Sequence, residues 1–282
     1  MTMPIKCFRF IPLWIALFSS GSLLCQPASA GTLVSGGLTI DVDGDGEFND
    51  VFVNGTSVDD SSFVQRLYFN GNDFSLSSVV SIVGNTASYT NTLGGFNFTI
   101  TGQALGNLGS LGAGSEVYEE TITFTNLSGM DAPLAIVSGI DQDLDGSGGS
   151  AAGDVVAFDP VTSAVFAVDD PIFFAAIGQA QGLFGWEVED SAAEPSTFPL
   201  ANNLGPLGPG DTSVGLGFDF GVIPNGASGV AKFRYLFDIN GTSSVPGDFT
   251  FGAPPVPEPG SFAIFATGAI TLLGCGTRRR KR

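Results

Sequence analysis

Short runs in which apolar and polar residues alternate follow one another along most of this chain. The clearest examples lie at 96–101, 121–125 and 231–239. Successive side chains of a β-strand point to opposite faces, so a period of two predicts strands that are buried on one side. Clusters of Gly, Asn, Asp and Ser separate the runs and indicate turns. Further strand-like runs lie at 33–40, 50–53, 63–69, 78–83, 116–119, 132–138, 154–158, 162–168, 171–177, 182–188 and 213–220.

The pattern predicts an all-β fold. Between the two ends of the chain, no long run carries the apolar spacing of an amphipathic helix. About a dozen short strands without helices favour an antiparallel β-sandwich, in which each sheet buries one face against the other. The 25 Phe residues are suited to filling such a core.

The strand-like region is long enough for one large all-β domain, which we predict over 31–240. Gly-rich 102–115 and Pro-containing 190–212 are the alternative domain boundaries, but strands resume directly after each. We therefore interpret both as long loops of one sandwich. Residues 241–255 become polar and proline-bearing, which predicts a stalk.

The N-terminus has the three parts of a secretory signal peptide. Lys6 and Arg9 precede an apolar run at 10–18, and Ala28 and Ala30 form a small-residue cleavage site before Gly31. Cys25 suggests a lipoprotein as the alternative. Leu24 stands before it, where the lipoprotein pattern needs a small residue. The sequence therefore predicts export after removal of residues 1–30.

The C-terminus, 256–282, combines three features in a fixed order. Pro257, Glu258 and Pro259 precede an apolar run at 262–273, and five basic residues end the chain at 278–282. A helix over 261–276 would span about 24 Å, less than the ~30 Å hydrocarbon core of a bilayer. The basic terminus is expected on the cytoplasmic side.

This tail closely resembles the PEP-CTERM sorting signal of bacterial proteins that are processed by an exosortase. The resemblance is confined to 256–282. It implies transient anchoring in the cytoplasmic membrane, cleavage near the Pro-Glu-Pro motif, and delivery to the cell envelope, the surface or the extracellular space. The alternative is an ordinary single-span anchor, against which the short apolar run and the motif both argue.

Charge limits the partners of the exported part. Residues 31–255 contain 27 acidic and three basic residues, a formal net charge of −24. Phosphate groups require the opposite sign, so nucleic acid and anionic membrane surfaces are excluded as partners. Such a charge favours divalent cations.

The exported part also lacks several kinds of catalytic residue. The chain has no His, and its three cysteines are Cys7, Cys25 and Cys275, all in the segments predicted to be removed. This excludes a Ser-His-Asp or Cys-His mechanism and removes the usual ligands of zinc, copper and haem.

The most specific internal motif is DVDGDGEFND at 41–50. Asp41, Asp43 and Asp45 precede a Gly, and Glu47 and Asp50 follow. Calcium takes six to eight oxygen ligands, and this spacing can curl three carboxylates around one ion. The stretch resembles D-x-D-x-D-G calcium loops, but Phe52 stands where an EF-hand has its closing Glu. The alternative is a solvated turn of a hairpin.

A second stretch of this kind runs from 141 to 154. Asp141, Asp143 and Asp145 precede a Gly, and Asp154 returns just before the next strand. Gly, Ser and Ala fill the gap between them, so the ligand geometry is less fixed than in the first stretch. We predict calcium at both stretches, with solvated turns as the alternative.

Other functions have weaker support in the sequence. Glu119 with Glu120, and Glu187 with Glu189 and Asp190, are candidate carboxylate pairs for glycoside hydrolysis. Aromatic platforms for sugars are few, and Trp186 is equally suited to a core.

We therefore expect a non-enzymatic, acidic, calcium-binding protein of the cell surface or extracellular matrix. Its expected partners are signal peptidase, an exosortase and extracellular polysaccharide. A calcium-dependent carbohydrate-binding module is the alternative, followed by a glycoside hydrolase.

Overall fold

The computed structural model describes residues 31–42, 48–73, 80–109, 111–144, 154–191, 193–240, 245–247 and 249–251. These residues form strands and connecting loops, with no helix among them. The strands are β1 Gly31–Ser35, β2 Leu38–Val42, β3 Phe48–Val53, β4 Thr56–Ser57, β5 Asp59–Phe69, β6 Asn72–Asp73, β7 Ser81–Val83, β8 Thr86–Leu93, β9 Phe96–Gly106, β10 Ser115–Asn126, β11 Ala132–Leu144, β12 Val155–Asp159, β13 Ala164–Asp169, β14 Ile172–Ala180, β15 Leu183–Glu189, β16 Ser213–Ile223 and β17 Ser228–Asp238.

The strands of the described residues form three antiparallel sheets. The eight-stranded sheet has the order β12-β13-β14-β17-β10-β9-β8-β7, and the five-stranded sheet has the order β15-β16-β11-β5-β6. A four-stranded sheet, β1-β2-β3-β4, lies beside them, with β3 packed on β5 and β1 on β9. The all-β, antiparallel prediction is therefore confirmed.

The two larger sheets pack face to face through aromatic side chains. The Phe69 ring lies 4.1 Å from the Phe98 ring, centroid to centroid, across the two sheets. Phe218 and Phe233 make a similar contact at 5.7 Å. Because inward side chains alternate with outward ones on both sheets, the sandwich-like core follows directly from the sequence pattern. This core also takes in residues of the four-stranded sheet, such as Leu38 and Val51.

A second apolar cluster covers the outer face of the eight-stranded sheet. Phe173, Leu236 and Val117 lie in it, and Val245 and Phe249 pack over them. Phe249 is fully buried. This part of the predicted polar stalk at 241–255 therefore packs against the sheet instead of extending away from it.

Strand lengths differ from the predicted ones. Seventeen strands are present in the described residues, and β9, β10 and β11 run for 11, 12 and 13 residues. Residues 102–106, predicted as loop, extend β9 because their backbone groups pair with β10. β8 was missed because Ser, Thr and Asn make it polar.

Residues 190–212, here called the crossing segment, connect β15 to β16, and the described residues among them form no strand of their own. The segment lies over the outer face of the five-stranded sheet, on a floor of glycines. A Cβ atom added to Gly139 would lie 2.5 Å from the Pro195 carbonyl oxygen, and one added to Gly185 would lie 2.9 Å from the Phe198 ring. Only residues without side chains allow this close approach.

Both predicted targeting segments lie outside the described residues, as do Ala28, Ala30, Pro257, Glu258 and Pro259. Gly31, predicted to follow the cleavage site, is the first residue of β1. No helix with the length and apolarity needed to cross a membrane occurs in the described part of the chain.

Candidate cation site

Three aspartates meet where β11 and β16 adjoin on the outer face of the five-stranded sheet. Asp141 and Asp143 are two residues apart on β11, so their side chains share a face. Asp141 pairs with Ser213, the first residue of β16. Continuing this antiparallel register by two residues places Asp211 opposite Asp143. A hydrogen bond of 3.1 Å from the Gln142 amide to the Thr212 hydroxyl supports that register.

The three carboxylates are close enough to share one cation. One oxygen of each lies within 4.8 Å of an oxygen of the other two. Asp141 and Asp143 are half-buried and Asp211 is exposed, so the cluster opens to solvent on one side. Burial, together with the charges of Asp143, Asp211 and Glu194, raises the pKa of Asp141 to about 7.

Asp154 adds a fourth carboxylate from the side of the eight-stranded sheet. It directly precedes β12 and is 0% exposed. Its Oδ2 accepts a hydrogen bond of 3.2 Å from the backbone N–H of Leu144, the residue after Asp143. Its Oδ1 is buried and has no hydrogen-bond partner among the described residues.

The electrostatics of Asp154 connect it to the same cluster. Burial raises its pKa to about 8; the Leu144 hydrogen bond opposes this rise, and the charges of Asp169, Asp143 and Asp141 add to it. A buried carboxylate with an unsatisfied oxygen destabilises the fold unless a cation or a proton compensates it. We call Asp141, Asp143, Asp154 and Asp211 the acidic site.

A charged triad anchors the crossing segment beside the acidic site. Glu194 accepts hydrogen bonds from Arg66 at 2.8 Å and from the Tyr68 hydroxyl at 2.6 Å. Burial alone would raise the pKa of Glu194, but the Tyr68 hydroxyl, the backbone N–H of Glu194 and the Arg66 guanidinium outweigh it and hold the pKa below its usual range. Glu194 is therefore already partnered.

The structure brings Asp141 and Asp143 into one cluster with Asp211. Asp154 is linked to that cluster by the Leu144 hydrogen bond and by the charges of Asp141 and Asp143. Asp145 lies outside the described residues. Asp211 was missed, because it lies in a loop and only the strand register brings it to the cluster. The sequence contains one indication of Asp211 as a site residue, namely the polar pair at 211–212 directly before a predicted strand.

The first predicted loop is described only at its two ends. Asp41 and Asp50 face each other across the β2–β3 pair, and the Thr32 hydroxyl donates a hydrogen bond of 2.7 Å to Asp41. Asp43, Asp45 and Glu47 lie outside the described residues. A calcium loop at 41–50 stays a prediction.

The two acidic residues proposed as one hydrolytic pair point to opposite faces of β10. Glu119 lies on the outer face, where it pairs with Lys232 at 3.1 Å and Arg234 at 2.5 Å. Glu120 is 0% exposed inside the sandwich.

The second candidate pair lies on the edge strand β15, where Glu187 is near Glu189. Burial, and after it the charge of Glu189, raises the pKa of Glu187. The Trp186 ring between β12 and β15 stacks on Phe158 at 3.9 Å, so it packs against protein.

Glu120 is held by polar side chains from both sheets. The hydroxyls of Tyr235 and Tyr89 lie 3.1 and 3.4 Å from its carboxylate, and the Gln65 amide lies at 3.3 Å. Ser138 joins this network through the Tyr235 hydroxyl, at 2.9 Å. Burial nevertheless raises the pKa of Glu120 to about 7, because the hydrogen bonds offset only part of the lost hydration. Because Glu120 is 0% exposed and is held by hydrogen bonds from both sheets, we assign it a structural role.

No protein-family model and no curated protein matches the sequence. Several solved structures align with most of the chain. A protein named as an aldose 1-epimerase from Escherichia coli K12 aligns over 75% of this chain and 99% of its own, with 9% identity and a TM-score of 0.46. A galactose mutarotase related enzyme from Lactobacillus acidophilus aligns over 77% and 100%, with 9% identity and a TM-score of 0.42. A protein from Synechocystis sp. PCC 6803 aligns over 75% and 96%, with 10% identity and a TM-score of 0.41.

These neighbours contradict the prediction of a non-enzymatic surface or matrix protein. Two of the three solved structures to which this chain is similar carry the names of sugar epimerases or mutarotases. We therefore withdraw the prediction that the chain is not an enzyme. At such low identities and TM-scores, the likeness assigns neither a substrate nor a catalytic residue to this chain.

Proposed function

We propose that this domain binds a hard divalent cation, calcium, at the acidic site. The observation that carries the proposal is Asp154, whose Oδ1 is buried without a hydrogen-bond partner among the described residues. Its charge is coupled to those of Asp141 and Asp143, whose oxygens lie within 4.8 Å of Asp211. A cation among these four groups supplies the partner that Asp154 lacks.

The ligand chemistry favours calcium. The site offers carboxylate oxygens, which hard cations prefer, and the chain contains no His. Calcium accepts six to eight oxygens in flexible geometry, so four carboxylates leave positions for water or further oxygens on the exposed side. Magnesium requires a near-ideal octahedron and gives up its waters reluctantly, so it should bind more weakly.

Calcium bound only to the folded chain raises the free energy of unfolding. At a hundredfold excess over Kd, one site contributes about 2.7 kcal/mol. For a domain of this size, that corresponds to roughly 5–10 °C in melting temperature. Exported calcium modules often bind only at about 10⁻⁴–10⁻³ M, so the titration should reach several millimolar.

The test is a thermal melt of the full chain in chelator and in rising calcium, with calorimetric titration of calcium in parallel. We expect the melting temperature to rise with calcium and much less with magnesium. Asp154→Asn should abolish most of the rise, because the amide removes a charge at the buried position.

Asp219→Asn is the matched control. Asp219 lies six residues beyond Ser213 on β16 and accepts a hydrogen bond from Gly221, which an Asn side chain can still accept. This variant should respond to calcium like the natural chain. A melting temperature that stays constant from chelator to several millimolar calcium would overturn the proposal.

A further inference from the structure

The acidic site lies at one end of a contact between the edges of the two larger sheets. β12 is an edge of the eight-stranded sheet and β15 is an edge of the five-stranded sheet. Between them, the Trp186 ring stacks on the Phe158 ring at 3.9 Å with 7° between the planes. We call this contact, together with the residues that bridge it, the seam.

The crossing segment bridges the seam by pairing with both edges. On the β15 side, the Asn203 side chain accepts a hydrogen bond from Val188 N–H at 2.9 Å and donates one to its carbonyl at 2.6 Å. On the β12 side, Leu207 exchanges two backbone hydrogen bonds with Val156, at 2.9 and 3.0 Å. Both sheet edges are therefore covered by one stretch of chain.

The acidic site joins the three parts that meet at the seam. Asp141 and Asp143 belong to the five-stranded sheet, Asp154 precedes β12 of the eight-stranded sheet, and Asp211 lies in the crossing segment, two residues before β16. Gly210, next to Asp211, donates a backbone hydrogen bond of 3.3 Å to the Asp154 carbonyl. Without a cation, the like charges of these groups repel and oppose the contact. With a cation, the same groups are drawn to one point.

We propose that calcium at the acidic site keeps the seam closed, and that its removal lets the crossing segment and β12 separate from the five-stranded sheet. This inference rests on the proposed cation site and adds its conformational consequence. Edge pairing is a small cooperative unit, so it can open without unfolding of the whole domain.

Amide hydrogen exchange measures this opening directly. If opening releases the cation, calcium at a hundredfold excess over Kd should slow exchange at Val156 and Leu207 by about 100-fold. Ile122 lies in the centre of the eight-stranded sheet, so opening of the seam should not expose its amide, and calcium should not slow its exchange through this opening.

Trp186 provides a second measurement. The chain has two tryptophans, Trp14 and Trp186, so Trp14→Phe in the full chain leaves one reporter at the seam. Acrylamide should quench Trp186 fluorescence more strongly in chelator than in calcium. Asp211→Asn should reduce the difference, and because Asp211 is exposed this variant is expected to fold. Asp219→Asn should keep the difference.

The two proposals fail in distinguishable ways. Calcium binding seen by calorimetry with unchanged exchange at Val156 and Leu207 would overturn the seam inference and leave the cation site standing. Absence of calcium binding would overturn both. A seam that responds to calcium equally in Asp211→Asn, Asp154→Asn and the natural chain would show that the acidic site does not control it.

Discussion

At the residue scale, two carboxylates among the described residues are 0% exposed and depart from the pattern of apolar inward positions. Asp154 lies at the acidic site, and Glu120 lies between the sheets on the inward face that it shares with Ile122 and Phe124. The alternation on β10 already indicated the position of Glu120, because residues two apart share a face. The sequence could not show the three donors that reach Glu120, since they come from β5, β8 and β17.

Replacing Glu120 by Gln should change how stability depends on pH. The folded-state pKa of Glu120, about 7, lies above its usual value of 4.5, so the folded chain binds more protons than the unfolded chain between these values. Stability from this group is therefore fully present below about pH 4 and is lost as the pH rises through 7. Between pH 4 and about pH 8, the free energy of unfolding of the natural chain should fall by roughly 3 kcal/mol relative to that of Glu120→Gln.

Urea unfolding of both proteins at several pH values measures this difference. Taking the difference between the two chains cancels the contributions of other titrating groups. Glu119→Gln is the neighbouring control: Glu119 is paired with Lys232 and Arg234 on the outer face, and its replacement should not reproduce the pH dependence. A difference that stays constant between pH 4 and pH 8 would show that Glu120 titrates as an ordinary carboxyl.

At the element scale, the strands could be predicted and their partners could not. Alternation is a local signal, so most strands were found from neighbouring residues alone. Register is set between distant segments, as when Asp141 pairs with Ser213 and brings Asp211 to the cluster. One short motif contains Asp141, Asp143 and Asp154, so the sequence could predict these three residues. Asp211 lies far from this motif along the chain, so the sequence could not predict its place in the cluster.

Replacing a glycine under the crossing segment by alanine should lower the free energy of unfolding, whereas the same change in an ordinary strand raises it. In an ordinary strand, Gly to Ala stabilises by about 0.5–1 kcal/mol. In Gly139→Ala, the new Cβ would lie 2.5 Å from the Pro195 carbonyl oxygen, so the crossing segment must shift. We expect a loss of about 1–3 kcal/mol in the free energy of unfolding, measured by urea denaturation.

Gly247→Ala provides the comparison, because no atom lies within 4 Å of the added Cβ there. It should leave the free energy of unfolding close to that of the natural chain. Equal effects of the two substitutions would mean that the crossing segment does not rest on the sheet at Gly139.

At the scale of the whole molecule, the two ends predict where the protein goes, while the folded part supports a cation site. The sorting prediction rests on the order and spacing of the motifs in 256–282 and stays a prediction. It implies cleavage near Pro257 and Pro259, where the proline-bounded segment should be extended and accessible.

Mass spectrometry of the mature protein, isolated from cells that carry an exosortase, tests this processing. We expect the mature chain to lack Arg278–Arg282, and Glu258→Ala to leave uncut precursor in the membrane fraction. Mature protein that retains the basic terminus would favour the ordinary single-span anchor.

The packing of Phe249 on the outer sheet face also limits how far the domain can stand from that tail. Arg234 lies over the Phe251 ring, 4.6 Å from its centroid, so the folded part of the chain extends at least to residue 251. Eleven residues lead from Phe251 to Phe262, where the apolar run begins, and even a fully extended chain covers only about 40 Å over that distance. A tether of this length keeps the domain near any bilayer that holds the apolar run. Its net charge of −24 would be repelled by anionic headgroups wherever it comes within about 8 Å of them, so cutting the tether would free the domain from that repulsion.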